Sequence, residues 1–116
     1  MNRKIWFVAA IVLCGSWPAL AHAILLKAIP AANQVVDGRS IPVKLRFNAR
    51  IDAKRSRLSL VIPEGREFQL TIAGQDAPDT IAATAPALPA GSYVLRWQVL
   101  ATDGHITRGE IPFKAK

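Results

Sequence analysis

The chain has 116 residues, 51% of them hydrophobic, with 15 Lys and Arg against 8 Asp and Glu and a formal net charge of +7. This length suffices for one small domain and excludes two domains with separate cores. The single cysteine excludes an intrachain disulfide, so the fold must depend on its hydrophobic core.

The N-terminal segment has the pattern of a secretory signal peptide. Arg3 and Lys4 precede an apolar run over residues 5–13, the order of charged and apolar regions that export signals share. The run is shorter than the roughly 20 residues that span a bilayer core, and no comparable run follows it. We therefore predict export to the periplasm and no stable membrane insertion of the mature chain.

Signal cleavage would create a new N-terminus. Small residues at positions 19 and 21 predict cleavage after Ala21, and the segment Ala-His-Ala at 21–23 offers an alternative site. The first site divides the chain into a signal peptide, residues 1–21, and one mature domain, residues 22–116. That domain begins with His22, and the only cysteine leaves with the signal.

The mature domain is basic. Removing Arg3 and Lys4 from the 15 basic residues leaves 13 against 8 acidic ones, a net charge of +5. Several of these cations lie close together between Arg46 and Arg57. Because the protein is predicted to be exported and the cluster lacks a run of interleaved aromatic residues, we predict a solvated basic face and no nucleic-acid partner.

Alternating apolar residues predict most of the strands. Segment 41–47 reads IPVKLRF, with its large apolar residues on one face and its charges on the other. The alternation recurs over 58–62 and 68–72, and the Pro-Glu-Gly sequence at 63–65 predicts a hairpin between them. Segment 91–99, GSYVLRWQV, is the strongest strand pattern in the chain.

The remaining segments complete an all-β pattern. Residues 75–90 are rich in Pro, Ala, Asp and Thr, which predicts a loop with one short strand near Ile81. The last predicted strand spans 106–114, where Pro112 indicates a sheet edge or a bulge. Short strands, turns between them and no amphipathic helix predict an antiparallel Greek-key β-sandwich, with a barrel as the alternative.

Two histidines suggest a metal site. His22 and His105 are the only histidines, and Asp103-Gly104, by itself a common hairpin turn, directly precedes His105. An N-terminal His22 offers two nitrogens, the α-amine and the imidazole; His105 adds a third nitrogen and Asp103 an oxygen. This set suits one copper(II) ion, with zinc as second choice. The mature chain has no thiolate or thioether, the ligands that copper(I) prefers.

Three functions are compatible with these residues. The ligand set favours a non-catalytic copper(II) carrier. An N-terminal histidine chelate beside a second histidine is also the copper site of polysaccharide mono-oxygenases, and a metal-free structural β-sandwich stays open as well. The few aromatic residues provide no evident surface for stacking sugars, and the four mature serines lie in no nucleophile pattern. We therefore predict that the protein is not an enzyme.

Three segments together resemble the CopC family of periplasmic copper-binding proteins: LKAIPAANQVV, IPVKLRFNARID and LPAGSYVLRWQVLATDGHITRGEIPF. The resemblance covers nearly the whole mature chain and is most specific between residues 88 and 113. It implies a seven-stranded Greek-key sandwich or barrel, cupredoxin-like or immunoglobulin-like, that holds copper(II) through His22, Asp103 and His105.

The resemblance also indicates which copper ions the protein binds and where it could deliver them. Some members carry a methionine-rich loop that binds copper(I); this chain lacks the loop, so it resembles a short form without that second site. Other members are fused to or paired with an inner-membrane copper-import protein. The resemblance therefore implies that the protein sequesters or transports copper, or delivers it to such a membrane transport partner. We predict that it is a monomer.

Overall fold

The computed structural model describes residues 23–116, so the predicted signal peptide and His22 lie outside the described residues. No helix in this range is long and apolar enough to cross a membrane. The described elements are eight strands and one short 3-10 helix. In chain order they are β1 (Leu25–Ile29), β2 (Val35–Val36), β3 (Ile41–Phe47), the 3-10 helix (Ala53–Arg55), β4 (Arg57–Val61), β5 (Glu67–Leu70), β6 (Thr80–Ala85), β7 (Gly91–Leu100) and β8 (Ile106–Ala115).

The strands form two sheets. One has the order β1-β3-β6 and the other the order β2-β8-β7-β4-β5. After the β4–β5 hairpin the chain crosses to the first sheet as β6 and returns as β7 beside β4, a crossover typical of Greek-key folds. The predicted β-sandwich is confirmed, and the barrel alternative is wrong.

The predicted strand count of seven is also wrong, because residues 23–116 contain eight strands. The additional strand β2 has only two residues and pairs parallel to the end of β8, whereas the other strand pairs are antiparallel. A two-residue strand is too short to produce an alternating pattern, so the sequence gives no sign of it.

The core lies between the two sheets. The four apolar residues of β3 that the sequence places on one face are all at most 2% exposed, and Leu60 and Leu95 of the other sheet are fully buried. The rings of Phe47 and Trp97 meet edge to face with centroids 5.1 Å apart, a favoured aromatic geometry. The alternation of apolar and polar residues therefore predicts the inward faces of β3 and β7 correctly.

Strand β6 is longer than the sequence indicates. It pairs with β3 over six residues, and its Ile81 is 1% exposed. The segment contains three alanines, which are poor strand formers, so its local pattern predicts mostly loop. Pairing with β3 supplies the stability that the local sequence lacks, and Pro86 follows the end of the strand.

Of two further expectations, the one for Phe68 needs correction and the one for Pro112 agrees with the structure. Phe68 is on the predicted apolar face of β5, yet it is 38% exposed because β5 is an edge strand. Pro112 is predicted to mark an edge or a bulge. The structure agrees with a local edge, because β2 pairs with β8 only at Lys114 and Ala115, and Pro112 pairs with β7 alone. The Pro112 carbonyl accepts from the N–H of Asn33 at 2.6 Å. The nitrogen and the carbonyl of one strand residue point to the same side, so the Pro112 nitrogen points away from β7. Its lack of an N–H therefore costs no hydrogen bond to β7.

Candidate metal site

The two longest strands support one hairpin tip. Strands β7 and β8 pair without interruption from Gly91 opposite Ala115 to Leu100 opposite Ile106. At the tip the Gly104 N–H donates to the Ala101 carbonyl at 2.8 Å, and the Ala101 N–H donates to the His105 carbonyl at 2.9 Å. Gly104 has φ of +97°, a left-handed conformation that favours glycine. The connection is thus a three-residue turn, residues 102–104, that ends with a left-handed glycine. It is one residue longer than the two-residue Asp-Gly turn that the sequence suggests.

Asp103 and His105 lie together on this tip. The carboxylate oxygen Oδ1 of Asp103 accepts from the backbone N–H of His105 at 3.1 Å and lies 3.3 Å from the ring nitrogen Nδ1 of His105. The first of these bonds is the main reason why the pKa of the Asp103 carboxyl is lowered from its ordinary value. Both side chains are about half exposed, 51% for Asp103 and 55% for His105. A carboxylate and an imidazole are thus presented side by side to solvent.

The contact with Asp103 also affects which nitrogen of the His105 ring carries the proton. A neutral imidazole that donates from Nδ1 to Asp103 carries its lone pair on Nε2. The two ring nitrogens point to opposite sides of the imidazole. A ligand role for both Asp103 and Nε2 of His105 on one ion therefore requires the Asp103 carboxylate to turn away from Nδ1.

The N-terminal end of the described chain is fixed to the segment after β3. The Ile24 N–H donates to the side-chain oxygen Oδ1 of Asn48 at 2.7 Å, and the Asn48 N–H donates to the Ile24 carbonyl at 3.0 Å. Ala23 is 2% exposed and belongs to the hydrophobic core. Residues 23 and 24 are therefore held by packing and by two hydrogen bonds.

The same segment contacts the hairpin tip. The Arg50 carbonyl accepts from the Thr102 N–H at 3.1 Å, and Ile51 forms a bridge with Ala101. Asn48 and Arg50 are two residues apart, at most about 7 Å of extended chain. The segment over residues 48–51 thus connects Ile24 to the hairpin tip, and both lie at one end of the sandwich.

The structure describes two of the three predicted ligand residues. Asp103 and His105 come together, whereas His22 lies outside the described residues. Between residues 23 and 116 no group of three or more His, Cys, Asp or Glu side chains could hold a metal ion. Asn48, which fixes Ile24, was not identified from the sequence, because an asparagine after a strand looks like an ordinary loop residue.

A surface groove elsewhere does not suit a metal. It has a volume of about 850 Å³ and lies on the outer face of the five-stranded sheet, with no histidine in its lining. Its carboxylates are already engaged, because Arg96 contacts Glu110 at 2.7 Å and Glu67 at 3.0 Å. The hydrogen bond from Ser59 is the main cause of the lowered pKa of Glu67. Asp103 and His105 on the hairpin tip therefore remain the candidate.

Comparisons with known proteins give one family. A family model described as the CopC domain matches residues 25–116. Protein YobA of Escherichia coli strain K12 is 30% identical over 99 residues, covering 83% of this chain and 80% of YobA. The structure of CopC from Methylosinus trichosporium OB3b is 34% identical with a TM-score of 0.74, covering 82% of this chain and 94% of that one. PcoC of Escherichia coli, described as a methionine-rich copper resistance protein, has a TM-score of 0.69 and 23% identity, covering 83% of this chain and 100% of PcoC, and shows the shared fold alone.

Proposed function

This chain belongs to the CopC family, whose domain model spans residues 25–116, and we propose that it binds one copper(II) ion and carries it in the periplasm. The observation that carries the proposal is the Asp103–His105 pair on the hairpin tip, at the end of the sandwich where Ile24 is anchored. A metal-binding tip and an anchored N-terminal segment at one end are what a site shared between them requires.

The proposed ligands are the amine and imidazole of His22, the carboxylate of Asp103 and the imidazole of His105. His22 precedes Ile24 by two residues, so it starts within about 7 Å of a backbone position that is fixed to Asn48. Three nitrogens and one oxygen form the donor set that copper(II) accepts in tetragonal geometry. The amine becomes a ligand only after cleavage following Ala21, so export and metal binding are linked in this proposal.

The proposed role is transport or sequestration and not catalysis. Asp103 would occupy a position on the metal and favour the oxidised ion, which suits a carrier. PcoC is described as methionine rich, whereas residues 22–116 of this chain contain no methionine. We therefore include no copper(I) site in the proposal. An inner-membrane copper-transport protein is the proposed recipient, and a monomer is the proposed carrier.

Copper titration of altered ligands tests the proposal. The chain beginning at His22 contains Trp97 as its only tryptophan, so fluorescence quenching reports binding and copper(II) spin resonance reports the nitrogen ligands. We expect His105→Ala to weaken binding by orders of magnitude. One glycine added before His22 should do the same, because it converts the amine to an amide. Asp76→Ala, an exposed carboxylate outside the proposed ligand set, is the matched control.

Two results would contradict the proposal. One is unchanged copper affinity in a chain that carries both His22→Ala and His105→Ala, which would support a metal-free structural domain. The other is an exported protein whose sequenced N-terminus is Ile24, since that form lacks the chelating histidine.

A further inference from the structure

The outer face of the three-stranded sheet is strongly basic. Lys44 and Arg46 point outward from β3, and Lys27 points outward from the adjacent edge strand β1. All three side chains are exposed. None of the three strands of this sheet contains an Asp or a Glu. We call Lys27, Lys44 and Arg46 the basic face.

The charges of the basic face are not compensated. Lys27 and Arg46 are directly opposite each other in the β1–β3 pair, and like charges in that position destabilise a sheet. Across residues 23–116, none of the five ion pairs involves a residue of the basic face. On the other sheet, by contrast, Arg96 contacts two carboxylates. The fold thus keeps a repulsive pair that a single acidic residue on the face could have relieved.

Exposed apolar side chains lie on β1, the strand that also contains Lys27. Ile29 is 39% exposed and pairs with Lys44, and Leu26 is 53% exposed at the bulge between Leu25 and Lys27. Ile24, directly before β1, is 57% exposed. Cations beside exposed aliphatic side chains are typical of surfaces that bind at the membrane interface, where phosphates attract the cations and the aliphatic groups enter the headgroup region.

We propose that the basic face, with the aliphatic residues of β1, docks on an anionic phospholipid surface. Charge complementarity supports this occupant, because phosphate groups supply the counter-charges that the sheet lacks. Lysines bind phosphates as point charges and need no fixed partner geometry, which suits a mobile lipid surface better than a folded acidic protein. Docking here is peripheral, since the described chain has no spanning helix.

The basic face lies close to the end of the sandwich that contains the hairpin tip. Arg46 precedes Asn48 by two residues, and Asn48 is the residue that fixes Ile24 near the hairpin tip. A domain that docks through the basic face therefore keeps the Asp103–His105 end close to the lipid surface. The lipid proposal does not depend on metal binding, so either proposal can fail alone.

Vesicle binding tests the inference on metal-free protein. The chain beginning at His22, which retains the whole described core, is kept in a chelator and sedimented with vesicles of phosphatidylcholine, with or without phosphatidylglycerol. We expect binding only to the phosphatidylglycerol vesicles and loss of that binding at high salt. At about fivefold per cation, Lys44→Glu with Arg46→Glu should weaken binding about 25-fold or more.

A matched double variant separates the basic face from net charge. Arg66→Glu with Lys114→Glu changes the net charge equally at exposed positions on other parts of the surface, and it should retain most of the binding. Leu26→Gln should weaken binding without any change of charge. Circular dichroism checks that each variant is folded; all altered side chains are exposed, and a glutamate opposite Lys27 replaces repulsion with attraction.

Three outcomes would overturn the inference. The first is no preference of the parent protein for phosphatidylglycerol. The second is equal loss of binding in the two double variants, which would show that net charge alone is responsible. The third is retention of vesicle binding by Lys44→Glu with Arg46→Glu while binding to poly-glutamate is lost, which would identify an acidic polypeptide as the partner.

Discussion

Gly109 tests how closely the two longest strands pack, because its neighbour across the β7–β8 pair is Trp97. A Cβ atom added at Gly109 would lie 2.3 Å from Cζ2, 2.5 Å from Cε2 and 2.8 Å from Nε1 of the Trp97 indole. Trp97 is 8% exposed and its ring packs against Phe47, so the ring has little room to move. Gly109→Ala should therefore lower the free energy of unfolding by about 1–3 kcal/mol, the usual effect of overpacking a core.

Thermal unfolding measures this effect. For a domain of this size each 1 kcal/mol corresponds to about 4–8 °C in Tm, so a loss of about 2 kcal/mol lowers Tm by about 8–16 °C. The Trp97 emission of the chain beginning at His22 should change as well, since the indole must shift. Gly74→Ala is the matched control, because no heavy atom outside Gly74 and its two chain neighbours lies within 4 Å of the Cβ added there. If both variants unfold at the same temperature, the close packing of Gly109 on Trp97 is refuted.

Two further predictions concern a buried hydroxyl and an exposed ion pair. Ser56→Ala should lower the free energy of unfolding by about 1–3 kcal/mol in urea. Its hydroxyl, in a residue 7% exposed, donates to the Asp52 carbonyl at 2.7 Å and accepts from the Leu100 N–H at 3.1 Å. Hydrogen bonds from Arg39 lower the pKa of Asp37 from 3.8 to about 2. Because the folded pKa is depressed, Asp37 stabilises the fold above its unfolded pKa, and this contribution is lost as pH falls toward 2. Asp37→Asn should reduce the acid dependence of Tm over that interval.

Each of these changes has a control. Ser40→Ala removes an exposed hydroxyl, and an equal effect of both serine variants would contradict the role assigned to the buried one. Asp76→Asn removes an exposed carboxylate that forms no ion pair within residues 23–116. If Asp37→Asn and the parent chain lose stability equally between pH 4 and pH 2, the contribution of the Asp37–Arg39 pair is refuted.

Strands with one buried and one exposed face were predictable from the sequence. The bounds 41–47 agree with β3, and segment 91–99 agrees with β7 to within one residue. In each case the alternation of apolar and polar side chains has the period of a half-buried strand. The bounds of β6 and the existence of β2 were not predictable, because pairing with β3 and β8 stabilises segments whose own patterns are weak.

The candidate site was partly predictable. The residue types at Asp103 and His105 indicate ligands by their chemistry, and the structure brings them to 3.3 Å. The role of Asn48 was not predictable, since it depends on a hydrogen bond to a residue 24 positions away. The N-terminal ligand His22 stays a prediction.

The sequence by itself determined which side chains of β3 and β7 face the core and which residue types are available as copper ligands, because both follow from local alternation and from chemical identity. Only the tertiary structure decided what those elements face. It brought Asn48 between Ile24 and the hairpin tip, placed Trp97 on Gly109, and gathered Lys27, Lys44 and Arg46 on one uncompensated face. The physical reason is that strand pairing and sheet packing join residues far apart in the chain, and no local pattern contains that information.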